Sequence, residues 1–197
     1  MLFLLEHPRV YTLGKRTDRS HLLWDDSARA ARGIELVQVD RGGDVTYHGP
    51  GQLVGYPILR LSSVRRVVDY VRALEEVLIR ALATFGVAGD RVEGFTGVWV
   101  GDEKVAAIGV RVASKGVTSH GFALNITTDL SDYDGIVPCG IADRGVCSLA
   151  SLGVATTVDA VADAVEQAAG EVFAGTLETA TLDGLDLGVA PRSKAAM

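Results

Sequence analysis

The sequence predicts an α/β protein of the α+β kind, with a mixed, largely antiparallel sheet and packed helices. Three observations predict it. Short apolar runs recur between clusters of Gly, Pro, Asp and Ser, which is the length and punctuation of strands. Two longer stretches space their apolar residues by three and four, so each presents one stripe for a sheet to cover. Thr96 to Val100, Lys104 to Val112 and Val117 to Thr127 follow one another across turns too short for parallel crossovers.

Taken in order, Leu2 to Leu5 is fully apolar and Pro8 would cut a helix short, so it reads as a buried strand. Asp25 or Asp26 can cap a brief helix through Arg32, with Gly33 to end it. Ile34 to Val39 is a second strand and Leu53 to Leu59 a third. Ser62 or Ser63 then caps the strongest helix, whose stripe is Val64, Val67, Val68, Val71, Leu74, Leu78, Ala81, Leu82 and Phe85, closed by Gly86. Gly101-Asp102-Glu103 reads as a hairpin turn. Residues 131–153 are irregular, and Thr156 with Asp159 opens a last helix to about Phe173. Residues 1–190 read as one domain and 191–197 as a flexible tail.

Composition narrows the function. With 48% hydrophobic and 22% charged residues the chain is globular rather than disordered. A net charge of -6 argues against general nucleic-acid binding, although Arg9, Lys15, Arg16 and Arg19 form a local basic stretch. No apolar run approaches the roughly 20 residues that cross a bilayer, and Met1 to Pro8 makes a poor signal peptide, so no membrane association and a cytoplasmic setting are expected. Cys139 and Cys147 read as free thiols, and the four histidines lack ligand spacing, so no metal is expected.

The stretch Arg41 to Gln52, RGGDVTYHGPGQ, packs four glycines and a proline into twelve residues between two apolar runs. It reads as a loop. Glycines let a ligand approach the main chain, and Arg41, Thr46, Tyr47, His48 and Gln52 would supply donors around it. Downstream, Pro138-Cys139-Gly140 holds a thiol where turns expose the backbone, whereas Cys147 has no such frame and reads as a small core residue. A nucleophilic thiol needs an activator, and Lys104, opening an apolar strand, is the candidate.

Several separated blocks occur in the order of one known family. The loop RGGDVTYHGPGQ, Leu5-Glu-His-Pro8 with Val10-Tyr-Thr-Leu-Gly14, Lys104-Val-Ala-Ala-Ile-Gly-Val-Arg-Val112, His120-Gly-Phe-Ala-Leu-Asn125 and Ile136-Val-Pro-Cys-Gly-Ile141 together resemble the octanoyltransferases of lipoate biosynthesis, which belong to the biotin/lipoate protein ligase-like superfamily. The resemblance implies that Cys139 carries an octanoyl group as a thioester and that Lys104 lowers its pKa and shuttles protons. It places Arg41, Gly42, Gly43, Asp44, Val45, Thr46, Tyr47 and His48, with Ala107, Ile108, Gly109, Gly121, Phe122 and Ala123, around the acyl group. The implied donor is octanoyl-acyl carrier protein. The implied acceptors are lipoyl domains of 2-oxoacid dehydrogenase complexes and the glycine-cleavage H protein, and no cofactor is needed because the thioester arrives activated. The resemblance implies a further strand and helix ahead of the Glu-His-Pro block, so Met1 reads as a truncated or mis-assigned start, or else, if that segment is absent, an edge of the sheet is exposed. Two other readings stand beside this one: an ATP-dependent lipoate or biotin ligase, and an acyl-binding module without turnover.

Overall fold

The computed structural model describes residues 1–62, 66–140 and 144–173, the side chain of Cys139 excepted. Ser63 and Val64 of the helix pattern and the tail at 191–197 lie outside them.

A five-stranded sheet is built from β1 (Leu2–Leu5), β5 (Gln52–Pro57), β8 (Thr118–Asn125), β7 (Glu103–Val112) and β6 (Val98–Val100), antiparallel throughout in that spatial order. The hairpin turn between β6 and β7 forms as expected, with Val100 opposite Glu103 and Gly101 at φ +58°. A second, three-stranded sheet has β2 (Val10–Leu13) at its centre, parallel to β3 (Glu35–Gln38) and antiparallel to β4 (Val45–His48). That parallel pair is what makes the fold mixed.

One face of the large sheet is covered by α2 (Val67–Ala83) and α3 (Val158–Val172). Leu74, Leu78 and Leu82 of α2 and Val161 and Val165 of α3 bury against Leu53, Val105 and Leu124. Each such side chain contributes about 1.5–3 kcal/mol of burial. The short helix α1 (Asp26–Ala31) is capped by Asp25, whose carboxylate accepts the Ala28 N–H at 2.8 Å, and Gly33 follows at φ +66°.

Four expectations are corrected. The Arg41 to Gln52 stretch is not one loop, because Val45–His48 pairs with β2 as a strand. Val10–Leu13, read only as a family block, is the centre of the second sheet. Helix α2 starts at Val67 behind Arg66, which makes no side-chain cap bond, and of the two expected caps Ser63 lies outside the described residues. The cap of α3 is Thr157, not Thr156: its hydroxyl accepts the Ala160 N–H at 3.2 Å.

The second sheet closes over its own small core of Tyr11, Leu13, Ile34, Val45, Tyr47, Tyr133 and Ile136. At its centre Asp132 has no exposed side-chain surface; it accepts the Tyr47 hydroxyl at 2.7 Å and pairs with Arg9 at 3.3 Å and Arg32 at 3.0 Å. The Tyr11 hydroxyl donates to the Asp132 carbonyl. Replacing Asp132 by Ala leaves the buried Tyr47 hydroxyl without its acceptor and removes the carboxylate shared by two guanidinium groups, of which Arg9 keeps Asp129 and Arg32 keeps Ser131. The expected loss is about 3 kcal/mol in urea unfolding, and an unchanged midpoint would show that the cluster stabilises nothing.

Candidate active site

Between the two sheets lies a cavity of about 330 Å³. Strands β2 and β3 bring Val10, Thr12, Glu35 and Val37 to its walls, and three further segments complete them. Arg41 to Asp44, with Thr46 and His48, form one side; Ala107, Ile108 and Gly109 of β7 form the second; Gly121, Phe122 and Ala123 of β8 form the third. His7, Tyr56 and His120 stand among them.

The period of a strand explains which of these residues reach the cavity. Along β4 the side chains alternate, so Thr46 and His48 face the cavity while Val45 and Tyr47 are fully buried in the second core. Those two residues shape the wall from behind instead of lining it. The other twelve expected pocket residues all line it.

The Arg41 to Gly43 segment is fastened to both sheets. The Arg41 guanidinium donates to the Thr12 carbonyl at 2.7 Å and to its hydroxyl at 2.9 Å, and the Gly42 N–H donates to the Val110 carbonyl at 3.0 Å. Gly109 permits this approach, because a Cβ there would stand 3.1 Å from the Arg41 Cδ and from the Gly42 carbonyl oxygen. The segment therefore lies across β7 with its backbone toward the cavity.

His48 Nδ1 donates to Gln52 Oε1 at 2.9 Å, and His7 meets the Tyr56 hydroxyl at 2.7 Å. Burial pushes the His48 imidazole down to about 4, against a smaller opposing effect from Gln52. At neutral pH it is an uncharged wall. At the other end His120 holds Asp40 at 2.7 Å with φ +60°, an uncommon conformation for a residue other than glycine.

Lys104 is buried at the start of β7, three residues or about 10 Å ahead of Ala107. Its Nζ lies 4.7 Å from the centre of the Trp99 ring, a cation–π contact, and no carboxylate pairs with it among the described residues. The segment after Cys139 runs beside it: Lys104 N–H donates to the Gly145 carbonyl at 3.0 Å, and Cys147 N–H to the Lys104 carbonyl at 3.1 Å. Glu103 and Pro138 line one shallow hollow there. Lys104 is not among the residues lining the cavity.

Cys139 occupies the single 3-10 turn Pro138–Gly140, which packs on β4. Cys147, in contrast, is buried in the large core, and burial with the nearby Glu103 carboxylate pushes its thiol up to about 12. It is chemically quiet.

One group beside the Cys139 turn carried no sequence signal. His21 follows a basic stretch and lies 23 residues before its partner, Asp44, whose Oδ2 is 2.5 Å from His21 Nδ1. Pairing over such a separation becomes visible only in the fold.

A half-open cavity with largely apolar walls and a polar rim between these sheets has the chemistry to suit an acyl chain with a reactive head. The family model for the lipoyl protein ligase A/B catalytic domain matches residues 1–170. The chain belongs to that family. Within it, the chain is 54% identical over 177 residues to an octanoyltransferase of Chloroflexus aurantiacus, covering 88% of this chain and 79% of that one. It is 50% identical over 184 residues to an octanoyltransferase of Gloeobacter violaceus, covering 93% and 80%. It is thus an acyltransferase of lipoate biosynthesis that transfers octanoyl groups. The fold matches a lipoate-protein ligase A bound with ATP at TM-score 0.75 and 19% identity, covering 87% of this chain and 72% of that one. A bipartite lipoate protein ligase of Thermoplasma acidophilum matches equally, at TM-score 0.75 and 19% identity over 87% and 70%.

The His48 shift has a consequence for stability. The folded-state value, about 4, lies below the ordinary 6.5, so between those values the unfolded chain binds a proton that the folded chain does not. Stability is therefore full above about pH 6.5 and falls as the pH drops toward 4, by at most about 3 kcal/mol. Melting temperatures recorded from pH 7.5 to 4 should decline less steeply for His48→Gln than for the wild type; parallel curves would remove His48 from the acid response.

Proposed function

We propose that this acyltransferase takes its octanoyl group from octanoyl-acyl carrier protein and delivers it to a lysine of a lipoyl domain through a thioester on Cys139. The acceptors are lipoyl domains of 2-oxoacid dehydrogenase complexes and the glycine-cleavage H protein, in the cytoplasm. The observation that carries this reading is the apolar cavity whose glycine-rich rim meets the Cys139 turn: Asp44 lines the cavity, and Gly140 packs against it.

The division of labour follows from the walls. Ala107, Phe122 and Ala123 offer apolar surface for the alkyl chain, at about 0.8 kcal/mol for each buried CH₂. Arg41 to Asp44 keep polar groups at the rim, where the carbonyl head would sit. Cys139 attacks the donor carbonyl and expels the carrier thiol; the acceptor amine then attacks the enzyme thioester and expels Cys139. Lys104 is the cation at the strand beside the segment that follows the cysteine. A nearby positive charge favours the thiolate over the thiol, and the Trp99 face restrains where the Lys104 ammonium can go. Nothing in this sequence of steps consumes a nucleotide.

Intact-mass measurement after mixing with octanoyl-acyl carrier protein should show one added octanoyl group on the wild type, and none as a thioester on Cys139→Ser. Lys104→Ala should acylate about 10²-fold more slowly. Transfer to a lipoyl domain should proceed without ATP. A Cys139→Ser variant with normal turnover would exclude the thioester route.

A further inference from the structure

We infer that His21, oriented by Asp44, is the proton acceptor for the incoming lysine amine and the proton donor to the departing carrier thiol. The inference rests on the Cys139 thioester reading and adds to it an acid–base residue beyond the Cys139 and Lys104 pair.

The pair is built like an oriented base. Asp44 Oδ1 accepts main-chain N–H groups from Val45 at 2.7 Å and Asp18 at 3.3 Å, which fixes the carboxylate and turns Oδ2 toward His21 Nδ1 at 2.5 Å. A carboxylate only accepts, so Nδ1 carries hydrogen, and in the neutral ring Nε2 is the basic nitrogen. Nε2 has no hydrogen-bond partner among the described residues, and the side chain is 27% exposed, so it is open to solvent.

The pair also has a fixed relation to the Cys139 turn. The Val137 N–H donates to the His21 carbonyl at 2.8 Å, tying the turn's entry to the histidine's main chain. At its exit Gly140 has φ +70°, and a Cβ there would stand 3.0 Å from His21 Cε1 and 3.2 Å from Asp44 Oδ2. The imidazole is thus stacked against the residue next to Cys139, and its carboxylate partner belongs to the cavity rim.

The protons balance over one cycle. As the acceptor nitrogen bonds to the thioester carbonyl carbon, one N–H proton passes to His21 Nε2, the C–S bond breaks, and Cys139 leaves as thiolate. In the next round that thiolate attacks the donor thioester, the carrier sulfur leaves with its electron pair, and the imidazolium returns the proton to it. Donor thioester and amine become amide and thiol, with no net change in the enzyme.

The test follows acyl-enzyme formation and its discharge separately, by intact mass, with octanoyl-acyl carrier protein as donor and a lipoyl domain as acceptor. In His21→Ala the acyl-enzyme should accumulate, its discharge slowed about 10²-fold, and added imidazole should restore part of the rate. Asp44→Asn should slow discharge by about tenfold. His21→Gln, which can still donate to Asp44, serves if the alanine variant is unstable, and should also accumulate acyl-enzyme. Discharge within threefold of wild type in either His21 variant overturns the inference. So does a loss in His21→Ala that imidazole does not restore while the melting temperature is unchanged. A wild-type enzyme that never gains the acyl mass would instead refute the thioester route itself.

Discussion

The site depends on a carboxylate that never touches it. Asp132 lies in the turn ahead of the Cys139 segment, and its side chain and main chain hold Tyr47 of β4 and Tyr11 of β2. Arg9 and Arg32 neutralise it from the protein's edge. Burying an ion costs several kcal/mol unless it is paired and hydrogen-bonded, and Asp132 meets both conditions. Through these contacts the second sheet, whose strand β4 brings Thr46 and His48 to the cavity, is locked to the turn that leads to Cys139. Burial of the two phenols, with the Asp132 charge beside them, also raises both tyrosines well above the ordinary range, so they remain donors at any physiological pH.

Strand β4 has to satisfy two environments at once, and the pleat makes this possible. Val45 and Tyr47 fill the core that Asp132 organises, while Thr46 and His48, one residue out of phase, belong to the cavity. A slip of one residue would exchange them, placing a tyrosine in the cavity and a histidine in the core. The T-shaped packing of Tyr47 on Tyr11 and Tyr133, at 6.0 and 5.3 Å between ring centres, opposes such a slip.

The parts of this fold legible in the sequence are those determined by local pattern. The apolar runs became β1, β5, β7 and β8 within a few residues, and the three-four spacing became α2 and α3. What stayed hidden depends on distant partners. β4 is masked by the glycines on both sides of it and becomes a strand only because β2 supplies the ladder. Thr156 and Thr157 are equivalent caps by composition, and only backbone geometry selects the second. The glycine-rich stretch is legible as a rim of the cavity, but its alternation between core and cavity is not, because the glycines flanking β4 hide its period of two. Trp99 is similar: its Nε1 is buried with no hydrogen-bond partner among the described residues. That costs about 1–3 kcal/mol relative to a satisfied group, and the ring face that meets Lys104 is a reason for an electron-rich indole to stand there.

The same long-range logic explains how one turn can be served by groups far apart in the chain. Before Cys139, Val137 is bound through its N–H to the main chain of His21; after it, Gly145 and Cys147 are bound to the main chain of Lys104. These are backbone bonds, indifferent to the side chains they bring near, so no spacing rule in the sequence announces them. They fix the turn between a histidine with an oriented carboxylate and a lysine held on an aromatic face. Acyl transfer through a thioester asks for two different services at one sulfur: a charge that favours the thiolate, and a neutral base that takes a proton from an amine. A single lysine cannot do both in the same instant, because it is cationic for the first and must be neutral for the second. On the proposed thioester route, two groups tied to opposite ends of one segment divide that work, neither changing state at the wrong step.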